Sequence, residues 1–282
     1  MLKRSVSGAV YVILIVGFFL LKVYWRAVAF DALLWFMCAF GTFEIARALK
    51  RKEMKCGFGV CLVSGATLPV AYVVAEYFLN KWYALYIVLG VAAAIALSLF
   101  IARFFTKESY KSFGITVLNI FYPFLGVLSM MILNDVDGQA GFIGLVLIFA
   151  VSALSDTLAY LTGMTYNKLR RGNAKRLCPT VSPNKTVAGA LGGFFGGAVA
   201  GLLVYFIFRP KPNIDAPLFV FIFVGLIASI VNLFGDLFES YIKRSVGIKD
   251  IGKIMPGHGG LMDRIDGITF TSIYVLAMMA IM

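Results

Sequence analysis

Residues 141–163 read GFIGLVLIFAVSALSDTLAYLTG. Apolar side chains fill the stretch without the alternation of wet and dry faces that a soluble helix needs, and one acid, Asp156, interrupts it. A helical run of about 20 such residues matches a bilayer core of roughly 30 Å. Working outward, the chain repeats the pattern in nine runs, centred near Ile15, Phe36, Pro69, Val91, Pro123, Phe149, Ala198, Val224 and Tyr274. The composition agrees: 61% of the 282 residues are hydrophobic and 14% charged, with a mean hydropathy of +0.89. Strand-length alternation is absent, so helices rather than a barrel must satisfy the backbone. The expected fold is all-α, a polytopic integral membrane protein with about nine transmembrane helices.

The first run could be mistaken for a signal peptide, because Lys3 and Arg4 precede it and Ala27-Val28-Ala29 resembles a cleavage site. Its apolar stretch is at the long end for that reading, and Lys22, Trp25 and Arg26 crowd the site, so it is taken as a membrane helix. A net charge of +12 would suggest nucleic acid in a soluble protein. Here 21 of the 26 Lys and Arg fall at the N-terminus or in the links after runs two, four, six and eight. The positive-inside rule then makes the N-terminus cytoplasmic and, with nine spans, the C-terminus external. Orientation and attraction to anionic lipid account for the charge, and no nucleic-acid partner is expected. Cysteines 38, 56, 61 and 178 show no metal-site spacing, so neither zinc nor disulfides are expected.

The halves differ in character. Residues 1–133, with about five helices, read as a transmembrane scaffold with few ionisable groups beyond the helix ends; Glu44 is read as a partner for Arg47 one turn on. Residues 134–282, with about four helices, carry polar residues within or beside the spans, always on the side read as cytoplasmic. Three clusters stand out: SDTLAYLTG from Ser155, with Asp156 towards the inner end of the sixth helix; PTVSPNKTVAGALGG from Pro179, a Ser-Pro turn with Lys185 and Thr186 opening the seventh; and NLFGDLFESYIKR from Asn232, running on through KDIGKIMPGHGGLMDRID to Asp266.

A lone interfacial aspartate needs no function. Asp236, expected to end the eighth helix, and Asp263 and Asp266, which open the ninth and share a face, are harder to dismiss together. Carboxylates beside Lys243, Arg244, Lys249, Lys253 and Arg264 suggest a hard cation held with phosphate. Magnesium takes one or two carboxylates and fills its shell with water and phosphate oxygens, and Lys and Arg hold the remaining oxygens. The glycines of PGHGG let backbone N–H groups approach an anion.

At these residues the chain resembles the phosphatidate cytidylyltransferase family, also called CDP-diacylglycerol synthases. The family signature is met by Ser240, Ile242, Lys243, Arg244, Lys249, Asp250, Gly252, residues 256–260, Asp263, Arg264, Ile265 and Asp266, with Met255 in place of the usual branched or aromatic apolar residue before the proline. SDTLAY and SPNKT also look like family motifs, so the likeness covers about the C-terminal half. One departure is Ala188, where family members usually carry Glu.

The resemblance implies transfer of the CMP moiety of CTP to phosphatidate, giving CDP-diacylglycerol and pyrophosphate. It implies a catalytic set of Asp236, Asp263, Asp266, Lys249 and His258. Asp236 and Asp263 would hold Mg²⁺, with Asp156, Asp250 or Asp266 supporting it or a second cation. Lys243, Arg244, Arg264, Gly259 and Gly260 would bind substrate, and Lys185 and Ser182 would close the pocket. A phosphate monoester has its second pKa near 6, so no general base is needed; His258 is read as a phosphate contact or loop-fixing group, or as a structural loop histidine. The setting would be a prokaryotic cytoplasmic membrane with the site facing the cytoplasm, and the family implies a homodimer. Gly189, Gly193, Gly197 and Gly201, every fourth residue, with Gly192 and Gly196, read as a helix-packing face within the fold or between subunits. Two alternatives stay open. One is a related CTP-dependent membrane enzyme, a CDP-archaeol synthase or polyprenol-type kinase. The other is a secondary transporter, against which stands the absence of paired repeats.

Overall fold

In the computed structural model, residues 2–24, 27–51, 56–106, 110–136, 138–208, 216–252 and 259–281 are described. They form the helices α1 (Leu2–Tyr24), α2 (Ala27–Arg51), α3 (Phe58–Phe78), α4 (Lys81–Thr106), α5 (Tyr110–Asn134), α6 (Gln139–Leu169), α7 (Val187–Phe208), α8 (Leu218–Ser245) and α9 (Met262–Met279), with a hairpin β1 (Arg176–Cys178) and β2 (Ser182–Thr186) before α7. Seven of these, α2 to α8, are long and apolar enough to cross a membrane. Exposed Val63, Leu97, Phe195 and Phe223 line their outer faces, where hydrocarbon rather than water suits them. The protein is a helical integral membrane protein.

The chain divides into two compact units: residues 1–135 with 250–264, and residues 136–249 with 265–282. In the first, α2 is central, packing on α1, α3 and α5, and α3 also meets α4. Phe30, Leu34, Ile45, Leu68, Tyr72, Ile120 and Phe124 fill its core. Residues 250–264, which follow α8 in sequence, belong to this unit.

In the second unit α7 lies between α6 and α8, and its glycines explain how. A Cβ at Gly189 would lie 2.8 Å from the Ala159 carbonyl oxygen and one at Gly196 2.7 Å from that of Leu154, both on α6. At Gly197 and Gly201 it would collide with the Gly225 and Phe221 carbonyls of α8. The glycine face therefore serves packing within the fold, on two sides at once.

Three local readings are corrected. Asp156 lies mid-helix, because α6 runs on to Leu169; its 31 residues extend about 46 Å, well past a roughly 30 Å core. Asp236 does not end its helix either: α8 continues to Ser245. It stops where Gly247 takes φ +66° and Ile248 N–H reaches back to the Lys243 carbonyl at 2.9 Å. Lys185 and Thr186 belong to β2 rather than to the helix, which opens at Val187. The antiparallel pairing sets Arg176 opposite Thr186 and Cys178 opposite Ser182, with an irregularity between. Thr186 Oγ1 then accepts the Gly189 N–H at 3.0 Å, capping α7.

Candidate active site

A cavity of about 620 Å³ opens within the second unit between α6, the hairpin, α7 and α8. Asp156 of α6, Lys185 of β2, and Asn232 and Asp236 of α8 form a polar side; Met164, Leu177 and Ile230 are among its apolar walls. Asp156, Asn232 and Asp236 meet because a polar row on α8, Asn232, Asp236, Ser240 and Lys243, recurs at helical spacing opposite the middle of α6.

Lys185 Nζ stands 2.5 Å from Asp236 Oδ2, with the two side chains 22% and 35% exposed. Asp236 Oδ1 also accepts the Ser240 hydroxyl at 3.4 Å. Asn232 Nδ2 donates to Asp156 Oδ1 at 3.0 Å. Asp156 feels the negative charges of Asp266 and Asp236 and the positive charge of Lys185. Asp266, in the second unit's part of α9, takes the Gly267 N–H at 2.7 Å. Its carboxyl also meets Glu239, which is fully buried and lies 3.4 Å from Lys243 Nζ. Asp156, Asp236 and Asp266 are thus brought together, with carboxylates in excess over cations.

This donor set suits a hard cation: oxygens only, an acidic excess, and a buried amide oxygen, Asn232 Oδ1, with no hydrogen-bond partner. The Lys185 ammonium already sits as a cation against Asp236. Among the described residues no three acidic, His or Cys side chains are grouped as a finished ligand shell.

Other expected site residues have different surroundings. Asp263 belongs to the first unit, where its carboxylate accepts the N–H groups of Gly260 at 2.7 Å and Ile251 at 3.2 Å. Gly259 adopts φ +89°, and a Cβ there would lie 2.7 Å from Asp263 Oδ2. Arg244 donates from Nε to the Val181 carbonyl and from Nη1 to that of Ile248, each at 3.2 Å, pinning the hairpin turn to the end of α8. Lys249, Asp250 and Arg264 are exposed, Ser182 begins β2, and Ala188 sits half-buried in the first turn of α7. His258 and Lys253 lie outside the described residues.

Sequence reasoning missed three residues. Asn232 lies in the polar row of α8 and Glu239 beside it, one turn before Lys243, and that spacing could have found both. Glu44 was read as pairing with Arg47; instead its carboxylate takes the Met262 N–H at 3.0 Å, a contact 218 residues away in sequence.

The architecture is that of a polytopic helical membrane protein with a carboxylate-rich polar cavity among its helices. Its phosphatidate cytidylyltransferase relatives include those of Brucella abortus, 37% identical over 155 residues, or 55% of this chain and 53% of the relative, and of Helicobacter pylori, 35% identical over 163 residues, or 58% and 56%. That of Thermotoga maritima is 36% identical over 118 residues, 42% of each chain. The chain spans about half the length of the curated relatives it matches. The family model described as the cytidylyltransferase family matches residues 3–282, and the chain belongs to that family. The match reaches well beyond the C-terminal half in which the motifs lie.

Proposed function

We propose that this protein transfers the CMP moiety of CTP to phosphatidate, releasing pyrophosphate and leaving CDP-diacylglycerol in the membrane. The observation that carries the reading is the cavity of the second unit, apolar on some walls and lined elsewhere by Asp156, Asn232, Asp236 and Lys185, in a chain of the cytidylyltransferase family. A lipid phosphate needs both environments, since its acyl chains stay with apolar surface while its headgroup meets charge.

In the second unit Asp236, Asp156 and Asp266 would hold Mg²⁺; in the first, Asp263 and Asp250 are the proposed carboxylates for a second cation. Bound there, the ion would neutralise phosphate charge at the α-phosphorus. Lys185 and Ser182 would hold phosphate oxygens from the hairpin side. In the second unit Lys243, Arg244 and Lys249 would hold further anionic groups; in the first, Arg264 and the backbone at Gly259 and Gly260 are the proposed phosphate contacts, with the Gly260 N–H itself taken by Asp263. The lipid phosphate is mostly dianionic at neutral pH, so no side chain has to remove a proton from it. The wider reading has nine spans, a cytoplasmic N-terminus, an external C-terminus, a site at the inner face of a prokaryotic membrane, a scaffold over residues 1–133, a catalytic half over 134–282, and a homodimer.

The test is pyrophosphate release by protein in detergent given CTP, Mg²⁺ and phosphatidate, with CDP-lipid identified as the second product. Formation of both, lost without Mg²⁺ and in Asp236→Asn, is the expected result. CDP in place of pyrophosphate would mark a kinase, and CTP-independent cation flux in vesicles a transporter; either would overturn the proposal.

A further inference from the structure

Glu44 stands in the apolar body of α2 and is only 4% exposed. A carboxylate so buried is costly unless hydrogen-bonded. Its partners are backbone N–H groups at the opening of α9: Met262 N–H reaches Oε2 at 3.0 Å, and Leu261 N–H also donates to the carboxylate. Two glycines make the approach possible. A Cβ at Gly252 would collide with Glu44 Oε1, and one at Gly260 would lie 2.5 Å from Oε2. The two glycine backbones also touch, since a Cβ at Gly260 would come 2.8 Å from Gly252 N. A second carboxylate works alongside: Asp263 takes the N–H groups of Ile251 and Gly260. Residues 251–252 and 260–262, the two ends of the glycine-rich stretch, are therefore drawn together by two acids from opposite parts of the sequence.

A capping role alone could be filled locally by Ser, Thr, Asp or Asn before α9. A buried glutamate delivered by α2, with two positions kept free of side chain for it, does more: it fixes where both ends sit. We infer that Glu44 is a positioning residue for the reaction, holding the base of the signature stretch so that Asp263, Arg264 and the first turn of α9 keep a fixed place. The inference rests on the cytidylyltransferase reading, and it needs no contact between Glu44 and substrate.

The experiment compares the full chain in detergent with Glu44→Gln, Glu44→Ala, Gly252→Ala and the double variant Glu44→Ala/Gly252→Ala. It reads kcat, KM for CTP, melting temperature, and amide exchange over residues 259–264. A displacement of about 1 Å can cost on the order of 100-fold in rate. Glu44→Ala is therefore expected to lose about 100-fold in kcat with KM changed less than about threefold, and its amides at 259–264 to exchange at least about tenfold faster. Glu44→Gln, which keeps an acceptor oxygen, should recover to within about tenfold of wild type. Gly252→Ala should cost at least about tenfold in the parent and a smaller factor in the Glu44→Ala background, where the Glu44 collision is gone and the contact with Gly260 Cα at 2.8 Å is left, the coupling expected of groups in contact.

A kcat within about threefold of wild type in Glu44→Ala would overturn the inference. So would equal losses in Glu44→Gln and Glu44→Ala that track global melting, or additive losses in the double variant. If wild type makes no CDP-lipid, the activity reading fails by itself; amide exchange on the same proteins then decides, and unchanged protection at 259–264 removes the role of Glu44.

Discussion

Lys185→Met removes the cation that stands against Asp236. Unit charges 2.5 Å apart attract by about 6–7 kcal/mol at an effective dielectric constant of about 20. The side chains keep 22% and 35% of their surface, so hydration and screening offset most of that and about 1–3 kcal/mol is left. A metal ion entering among Asp156, Asp236 and Asp266 has to displace the ammonium or share Asp236 with it. Without Lys185 that competition disappears, and divalent-cation affinity should rise by about 5- to 150-fold. Turnover should move the other way and fall at least about tenfold, since Lys185 is also the proposed phosphate contact. The assay is Mn²⁺ binding by electron paramagnetic resonance, with Mg²⁺ competition, on protein without CTP, next to CDP-lipid formation by the same preparation. Unchanged or weaker cation binding in a variant that melts like wild type would refute the reasoning and remove the carboxylate cluster as a cation site.

Asp236→Asn should lower turnover at least about 100-fold at saturating CTP, with the melting temperature within a few degrees of wild type, because charge stabilisation is lost rather than packing. Gly197→Val would drive a side chain into the Gly225 carbonyl and Ser229 of α8, costing about 1–3 kcal/mol or more and lowering the melting temperature in detergent. Gly90→Ala, with open space around it in α4, should raise stability by about 0.5–1 kcal/mol in the same measurement. The Asp135 carboxyl, just beyond the end of α5, is pushed up to about 7 from 3.8, chiefly by burial and then by the charge of Asp31. Between about pH 4 and 7 the folded chain therefore keeps a proton that the unfolded chain has released, and stability falls as pH rises through that window. Thermal unfolding from pH 4.5 to 7.5 should show this slope, and Asp135→Asn should flatten it.

The helices were legible because their signal is local: each apolar run marks one element, and the run around Phe149 gave α6 its place without any knowledge of its neighbours. Helix ends were less legible, since α6 and α8 continue past the apolar stretch into polar turns that hydropathy cannot separate from loop. The hairpin escaped because β pairing joins Arg176 to Thr186 across a Pro-rich turn that reads as irregular. Asp156, Asp236 and Lys185 were found by chemistry and do meet. Glu44 was not found, because its neighbour in sequence, Arg47, offered a cheaper explanation than an amide more than 200 residues away.

That distance has a consequence for how the protein is made. Chains emerge at about 5–20 residues per second, so Glu44 waits about 11 to 44 s for Met262, 218 residues later. The pairings of α6 with α7 and of α7 with α8 join successive helices and can form as each arrives. The unit begun first is thus completed, by residues 250–264, only after residues 136–249 of the other unit have been made. A chain halted before Leu261 would leave the Glu44 carboxylate without its two N–H donors, a defect that marks an unfinished protein.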